Sequence, residues 1–346
     1  MSTYTFPTAL PVTTTGGWSR PGWRDILDEP ANRDRFGPED RREVFDDYCR
    51  LAICDQEDCG LDILTDGEHR RLGWIEGITA AMPGLRLRAP ERRLGAIGFD
   101  MLWVYEVHEP LERIESLWDF VSEYRFTRAH TDRRPRIGMP GPYGMTTELD
   151  YTPVYKSRRD CAEALVPVIR KHVQELVAAG CDYIQIEEPL TPSHAAEDRT
   201  PEHMVELINK VVDGVTGCTF TVHICFGSFR RLPYAKRTYR WLFPKLLDAH
   251  VHGFSLEFGA REMAEIDLVG EWDKDRILSA GLIDIKTHYA ESPEDVIERV
   301  RTCLRYRDAD RLEISTDCGL RRVPRNLALQ KMSSAAEAAA RLRTSG

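Results

Sequence analysis

No run of about 18 apolar residues occurs in the 346-residue chain, so no membrane-spanning helix is expected. The opening residues, Met1-Ser2-Thr3-Tyr4, lack the basic segment and apolar run of a secretory signal. Both absences point to the cytoplasm. A positive excess is missing as well: 47 Lys and Arg stand against 56 Asp and Glu, a net charge of −9 with the signs interspersed. That balance argues against a surface built to neutralise phosphates, so the expected partner is a small molecule, with no nucleic acid and no membrane. No Gly-x-Gly-x-x-Gly opens a helix, which counts against a Rossmann dinucleotide site. No Pro/Gly/Ser-rich linker divides the chain, and one domain over residues 1–346 is expected. Cysteine pairing has no framework either. Cys49, Cys54, Cys59, Cys161, Cys181, Cys218, Cys225, Cys303 and Cys318 are odd in number and scattered, so they read as reduced thiols or metal ligands.

What is present is alternation. Helix-period segments end, often at Gly, and short apolar β-rich runs follow. The expected strands are Leu10 to Gly16, Leu61 to Thr65, Arg136 to Met139, Asp182 to Ile186, Cys218 to Ile224, His252 to Leu256, Leu282 to Ile285 and Leu312 to Ser315. Between them lie helices over about Pro38 to Asp58 and Arg158 to Ala179, the second stopped by Gly180. Thr200-Pro201 and Ser292-Pro293-Glu294-Asp295 open two more by capping chemistry. Eight parallel strands with crossover helices favour an α/β fold of the (β/α)8 TIM-barrel type over an open sheet. An N-terminal extension precedes it. Gly98 to His108 reads as a strand or hairpin inside an insertion over about residues 85–130.

Almost every apolar run is followed at once by a residue able to do chemistry: Glu68, Glu187 and Glu188, His223 and Cys225, Glu257, Lys286, and Asp317-Cys318. The carboxyl ends of barrel strands share one face, so these residues converge on one site. His223 and Cys225, two apart on a strand, point to one side, and with Glu257 and Cys318 they form a donor set suited to Zn2+. Two thiolates and a carboxylate leave such a site net negative. That weakens it as a Lewis acid for water and suits it to hold a bound thiol deprotonated yet electron-rich, with Glu257 the ligand expected to yield its place. Singly, each residue also reads as core strand, buried cysteine or salt-bridge partner; their coincidence at strand ends favours the metal. Cys49, Cys54 and Cys59 share no helix face and read as structural.

The motifs PVTTTGGWSRPGW, TDGEHRR, YIQIEEP, HICFGSF, SLEF, GLIDIKT and STDCGLRRVP, from about Leu10 to Arg343, resemble the catalytic domain of cobalamin-independent methionine synthase and its stand-alone relatives. The resemblance implies the same zinc ligands. It implies that Gly17, Glu68 and Glu187 stand where the family grips the amino-acid end of homocysteine with a serine, a glutamate and an aspartate. Lys286 takes the position of a family histidine proposed to assist proton transfer, so Lys286 or a neighbouring carboxyl such as Glu188 is the expected acid. The segment GPYGMTTELDY lacks the family's pterin-stacking tryptophan. The alkyl donor is therefore left open among a folate, a corrinoid protein and an epoxide. Trp18, Trp23 and Trp74 read as substrate wall or packing, and Arg20, Arg70 and Arg71 as anion grip or solvated surface. Three functions follow: methyl transfer to a homocysteine-like thiol, alkylation of another thiol including epoxide opening by coenzyme M, and a non-catalytic zinc- or corrinoid-binding module.

Overall fold

The structure is a computed structural model that describes residues 5–24, 37–71, 82–87, 91–93, 100–102, 105–114, 120–189, 200–228 and 237–345. Six strands, Ile137–Pro140, Tyr183–Glu187, Thr219–Ile224, Gly253–Glu257, Ile277–Ile283 and Leu312–Thr316, lie side by side in chain order, all parallel. Ile63–Leu64 pairs in parallel with Arg134–Pro135, which leads directly into Ile137–Pro140. Between Ile63–Leu64 and Leu312–Thr316 stands Val12, which bridges Ile314 in parallel. Thr13 N–H donates to the Ile314 carbonyl at 2.9 Å, and Asp62 N–H donates to the Val12 carbonyl at 2.9 Å. With that stave in place the eight segments close into a (β/α)8 barrel. Among the described residues, no helix is long and apolar enough to cross a membrane.

The outer layer follows local sequence signals. Ser157 caps Arg158–Ala178 by accepting from Asp160 N–H, and Gly180, at φ +97°, turns the chain into the next strand. Ser292 and Asp295 form a reciprocal capping box at the start of Pro293–Cys303. Pro38–Asp58 and Thr200–Val212 occupy their expected positions.

Two strands differ from expectation. The first is reduced to the Val12 bridge, because the threonines after it bond through their side chains. Thr15 N–H donates to Thr316 Oγ1 at 3.0 Å and Thr15 Oγ1 meets Ser315 Oγ at 2.9 Å, an alternative to a backbone ladder. The seventh strand runs Ile277–Ile283 rather than Leu282 to Ile285. Its Ser279-Ala280-Gly281 stretch carries little β preference, and a Cβ on Gly281 would meet Asp317 Cα at 2.7 Å. Asp284 leaves the ladder because its N–H is taken by Glu291 Oε1 at 2.8 Å.

Within residues 85–130, Leu85–Leu87 pairs antiparallel with Tyr105–Val107, which also meets Leu149–Asp150 in parallel, and Glu91–Arg93 pairs with Asp100–Leu102. Phe120–His130 instead packs on Arg134–Pro135 and Ile137–Pro140 as part of the helical layer.

The closing stave is clasped from outside. Asp62 Oδ2 accepts Val12 N–H at 2.9 Å and Arg343 Nη2 at 2.6 Å, while Arg343 also donates to the carbonyls of Ala9 and Leu10. Asp62→Ala should lower the unfolding free energy by about 1–3 kcal/mol, read from the midpoint of urea unfolding, since it strands the Val12 N–H and removes the charged partner of Arg343 at the seam.

Candidate metal centre and substrate pocket

Strand Thr219–Ile224 is buried along its whole length, and its alternation puts His223 and Cys225 on one side at its carboxyl end. Cys318 follows strand Leu312–Thr316 and meets them across the barrel mouth. One donor atom from each of His223, Cys225 and Cys318 lies within 4.8 Å of the others, with Cys225 Sγ 3.7 Å from Cys318 Sγ. Glu257 ends the adjacent strand, fully buried. Its Oε2 accepts from Lys286 Nζ at 2.8 Å, while Oε1 has no hydrogen-bond partner among the described residues.

The donors fit a zinc ion. His223 Nδ1 is hydrogen-bonded to the Glu187 carboxylate, whose other oxygen accepts Gln185 Nε2 at 2.6 Å. In the neutral imidazole that a metal would select, that bond places the proton on Nδ1 and leaves Nε2, which is buried and without a partner, as the nitrogen able to coordinate. Two thiols, an orphaned imidazole nitrogen and an orphaned carboxylate oxygen match the ligand types zinc takes. The cluster of three excludes Glu257, whose carboxylate is turned toward Lys286.

Charges in the cluster shape one another. Burial alone would raise Glu187, but the His223 imidazole and the Gln185 amide hold its carboxyl below the ordinary range. Burial would lower His223; the Glu187 charge overrides it and raises the imidazole to about 9. The Cys225 thiol, by hydrogen bonding to Cys318, lowers it to about 6 despite burial, with His223 and Lys286 assisting. Cys225 is pushed well up by burial and by Cys318. Burial pulls Lys286 down, yet Glu257, Asp317 and Cys225 together hold it above its ordinary value.

Glu68 reaches the mouth by a strained turn. Gly67 and Glu68 both adopt left-handed backbone, at φ +80° and +54°, fixed by Thr65 Oγ1 accepting Gly67 N–H and Asp66 Oδ1 accepting Glu68 N–H. Arg71 donates to Glu68 Oε1 at 3.0 Å and to both oxygens of Glu123. Burial raises Glu68 to about 7 against the pull of Arg71, with Glu187 adding to the rise. A Cβ on Gly138 would lie 3.0 Å from Glu68 Oε1 and 3.3 Å from Glu187 Oε1, so the two carboxyls flank that glycine. One on Gly17 would lie 3.1 Å from the Gly67 carbonyl and 3.2 Å from Glu68 Oε2.

Gly17, Glu68, Glu187, His223, Cys225, Glu257, Lys286 and Cys318 thus form one connected group. Three other candidates are placed differently. Trp18 is fully buried, its Nε1 donating to Asp55 Oδ2 at 3.1 Å, a packing position against helix Pro38–Asp58. Glu188 accepts Tyr143 N–H at 3.1 Å and lies where a Cβ on Gly141 would stand, so it fastens the short helix Pro142–Met145. Trp23 stacks on Tyr48 with ring centroids 4.6 Å apart. Trp74 lies outside the described residues. Arg70 pairs with Asp46, Arg20 donates to the Arg71 carbonyl at 3.5 Å, and Cys49 donates to Asp66. Sequence reasoning passed over Gln185 and Glu123. Gln185 was findable, since it shares a strand face with Glu187; Glu123 sits on a helix with no local sign of its partner.

The family model for the cobalamin-independent synthase catalytic domain matches residues 10–341. The chain belongs to this family. Among its relatives, the methionine synthase of Sulfurisphaera tokodaii is 28% identical over 326 residues, 93% of this chain and 89% of that protein. That of Saccharolobus islandicus is 28% identical over 330 residues, 95% of this chain and 93% of that protein. Among solved structures, a B12-independent methionine synthase from Shewanella sp. W3-18-1, in complex with selenomethionine, superposes with a TM-score of 0.84 at 25% identity. That superposition covers 98% of this chain and 99% of the other.

Glu187→Gln would keep the shape beside His223 but remove the charge that fixes its imidazole. Competition against a chromophoric chelator should show zinc held about 10- to 100-fold more weakly than in the parent protein.

Proposed function

We propose that this chain is a zinc-dependent methyltransferase that places a methyl group on the sulfur of homocysteine. The observation that carries the reading is the cluster of His223, Cys225 and Cys318, with His223 Nε2 buried and without a partner and an equally unpartnered Glu257 Oε1 at the end of the adjacent strand. The methionine synthase relatives and the selenomethionine held by the Shewanella protein support the thiol and its product. Zinc held by His223, Cys225, Glu257 and Cys318 would lower the pKa of an incoming thiol while the two cysteine thiolates keep its sulfur electron-rich.

The chain's own residues supply the rest. Glu187 orients His223, and Glu68 offers its carboxylate to the amino group of the acceptor. Gly138 leaves the space between those two carboxyls unfilled. Lys286, with its ammonium stabilised by Glu257 and Asp317, is a poor proton donor at neutral pH, and we assign it the neutralisation of Glu257. Glu188 accepts the Tyr143 N–H and so fastens the short helix Pro142–Met145 beside the strand end that carries Glu187. A reducing cytoplasm suits a centre that needs Cys225 and Cys318 unoxidised.

The test is methionine formation by the zinc-loaded protein from homocysteine and, in parallel, methylcobalamin, methyltetrahydrofolate and its triglutamate. The arm that turns over identifies the donor. X-ray absorption should show zinc–sulfur coordination rising from two to three when homocysteine is added. No methionine in any arm, together with sulfur coordination that responds to another thiol and not to homocysteine, overturns the acceptor.

Glu68 also gives the reaction a pH signature. Its carboxyl is neutral below about 7 and ionised above, so an acceptor ammonium gains its partner as pH rises. KM for homocysteine should fall as pH rises toward about 7, by up to about tenfold per unit, and level off above it. Glu68→Gln should flatten this limb and raise KM roughly 10- to 100-fold, the worth of one charged hydrogen bond.

A further inference from the structure

The ladder between Thr219–Ile224 and Gly253–Glu257 ends at the pair Ile224 and Leu256, just where the ligand-bearing residues begin. A side chain takes over there. Tyr239, fully buried, accepts Glu257 N–H on its hydroxyl at 2.7 Å and donates to the Ile224 carbonyl at 3.0 Å. Ile224 separates His223 from Cys225. One hydroxyl therefore spans the strand ends that carry three of the four donors.

The ring reinforces the link. It packs against Phe226 at 4.6 Å and Phe258 at 6.2 Å between centroids, the residues directly after Cys225 and Glu257. The Arg261 guanidinium lies 4.9 Å from its centroid. Its backbone is fixed in turn: Glu265 accepts Tyr239 N–H at 2.9 Å and Thr238 Oγ1 at 2.6 Å. The fourth donor joins through Asp317, the neighbour of Cys318. Asp317 Oδ1 accepts from Phe258 N–H at 3.0 Å and Gly259 N–H at 2.8 Å, and Oδ2 from Ala260 N–H at 2.7 Å.

We propose that Tyr239 is a positioning residue of the metal centre, its hydroxyl setting the separation of the strand ends that hold His223, Cys225 and Glu257, with Asp317 tying Cys318 to the same frame. The Tyr239 hydroxyl is taken up by the backbone of Ile224 and Glu257. It acts because a metal site selects for ligand spacing, and ligands on two strand ends keep that spacing only while the strands are held together. The inference rests on the proposed zinc centre.

The experiment compares the parent protein with Tyr239→Phe, which keeps the ring and removes the hydroxyl, and with Glu265→Gln, which loosens the Tyr239 backbone and keeps it. Zinc affinity is read by chelator competition, the ligand field by the visible spectrum of the cobalt-substituted proteins, and the fold by thermal unfolding of the metal-free forms. Tyr239→Phe should hold zinc about tenfold more weakly and shift the cobalt bands while unfolding as a folded protein does. Glu265→Gln should move both readouts in the same direction by less, and it carries the test alone if Tyr239→Phe yields no folded protein. Parent-like affinity and cobalt spectrum in the folded variants overturn the proposal. A parent protein that binds no zinc overturns the metal centre itself, a separate outcome.

Discussion

The buried hydrogen bond between Glu187 and His223 decides what the barrel mouth can do. A histidine presents two nitrogens, and a carboxylate on one commits the other. Here the bond turns Nε2 toward Cys225 and Cys318. The same bond commits Glu187, while Glu68, the other carboxyl flanking Gly138, is paired with Arg71. An aspartate would be a methylene shorter; the glutamate's added reach is spent on the imidazole, and Gln185 occupies its other oxygen.

Around that bond the site is a set of compensated charges. Uncompensated ions are not tolerated in an interior, and each here has a partner: Arg71 for Glu68 and Glu123, Lys286 for Glu257, three backbone N–H groups for Asp317. Removing one member exposes the other's desolvation cost. Such a fixed set of partners suits the candidate metal centre of His223, Cys225 and Cys318, since coordination tolerates little drift in spacing.

Much of this was legible in the sequence, for one reason. Barrel geometry carries every strand's carboxyl end to one face, so a chemical residue after an apolar run declares its location without knowledge of its neighbours. The strand-end rule points to His223, Cys225, Glu257 and Cys318; the structure brings one donor atom each of His223, Cys225 and Cys318 within 4.8 Å of one another, and the motifs around them carry the family. What escaped depended on contacts that periodicity does not encode. The threonine hydroxyls that replace the first ladder, and the small residues that carry the seventh strand past Asp317, contradict simple strand signals. Trp18 and Glu188 stand beside functional motifs, and periodicity does not encode the partners that the structure gives them, Asp55 and the Tyr143 N–H. Lys286 could equally have been acid or salt-bridge partner; its distance to Glu257 favours the second. Tyr239 follows no strand run at all, and only the folded chain brings its hydroxyl between Ile224 and Glu257.

Gly17 bears on how this pocket can change. The Gly67 carbonyl and Glu68 Oε2 stand 3.1 and 3.2 Å from where its Cβ would be, and Gly67 is itself pinned in a left-handed turn by Thr65. A serine there, the residue that the resemblance implies for the methionine synthases, would need the Gly67 carbonyl and the Glu68 carboxylate to give by a few tenths of an ångström. Any side chain at position 17 would thus press directly on the turn that carries Glu68 into the barrel mouth, so the size of residue 17 and the placing of that carboxylate change together.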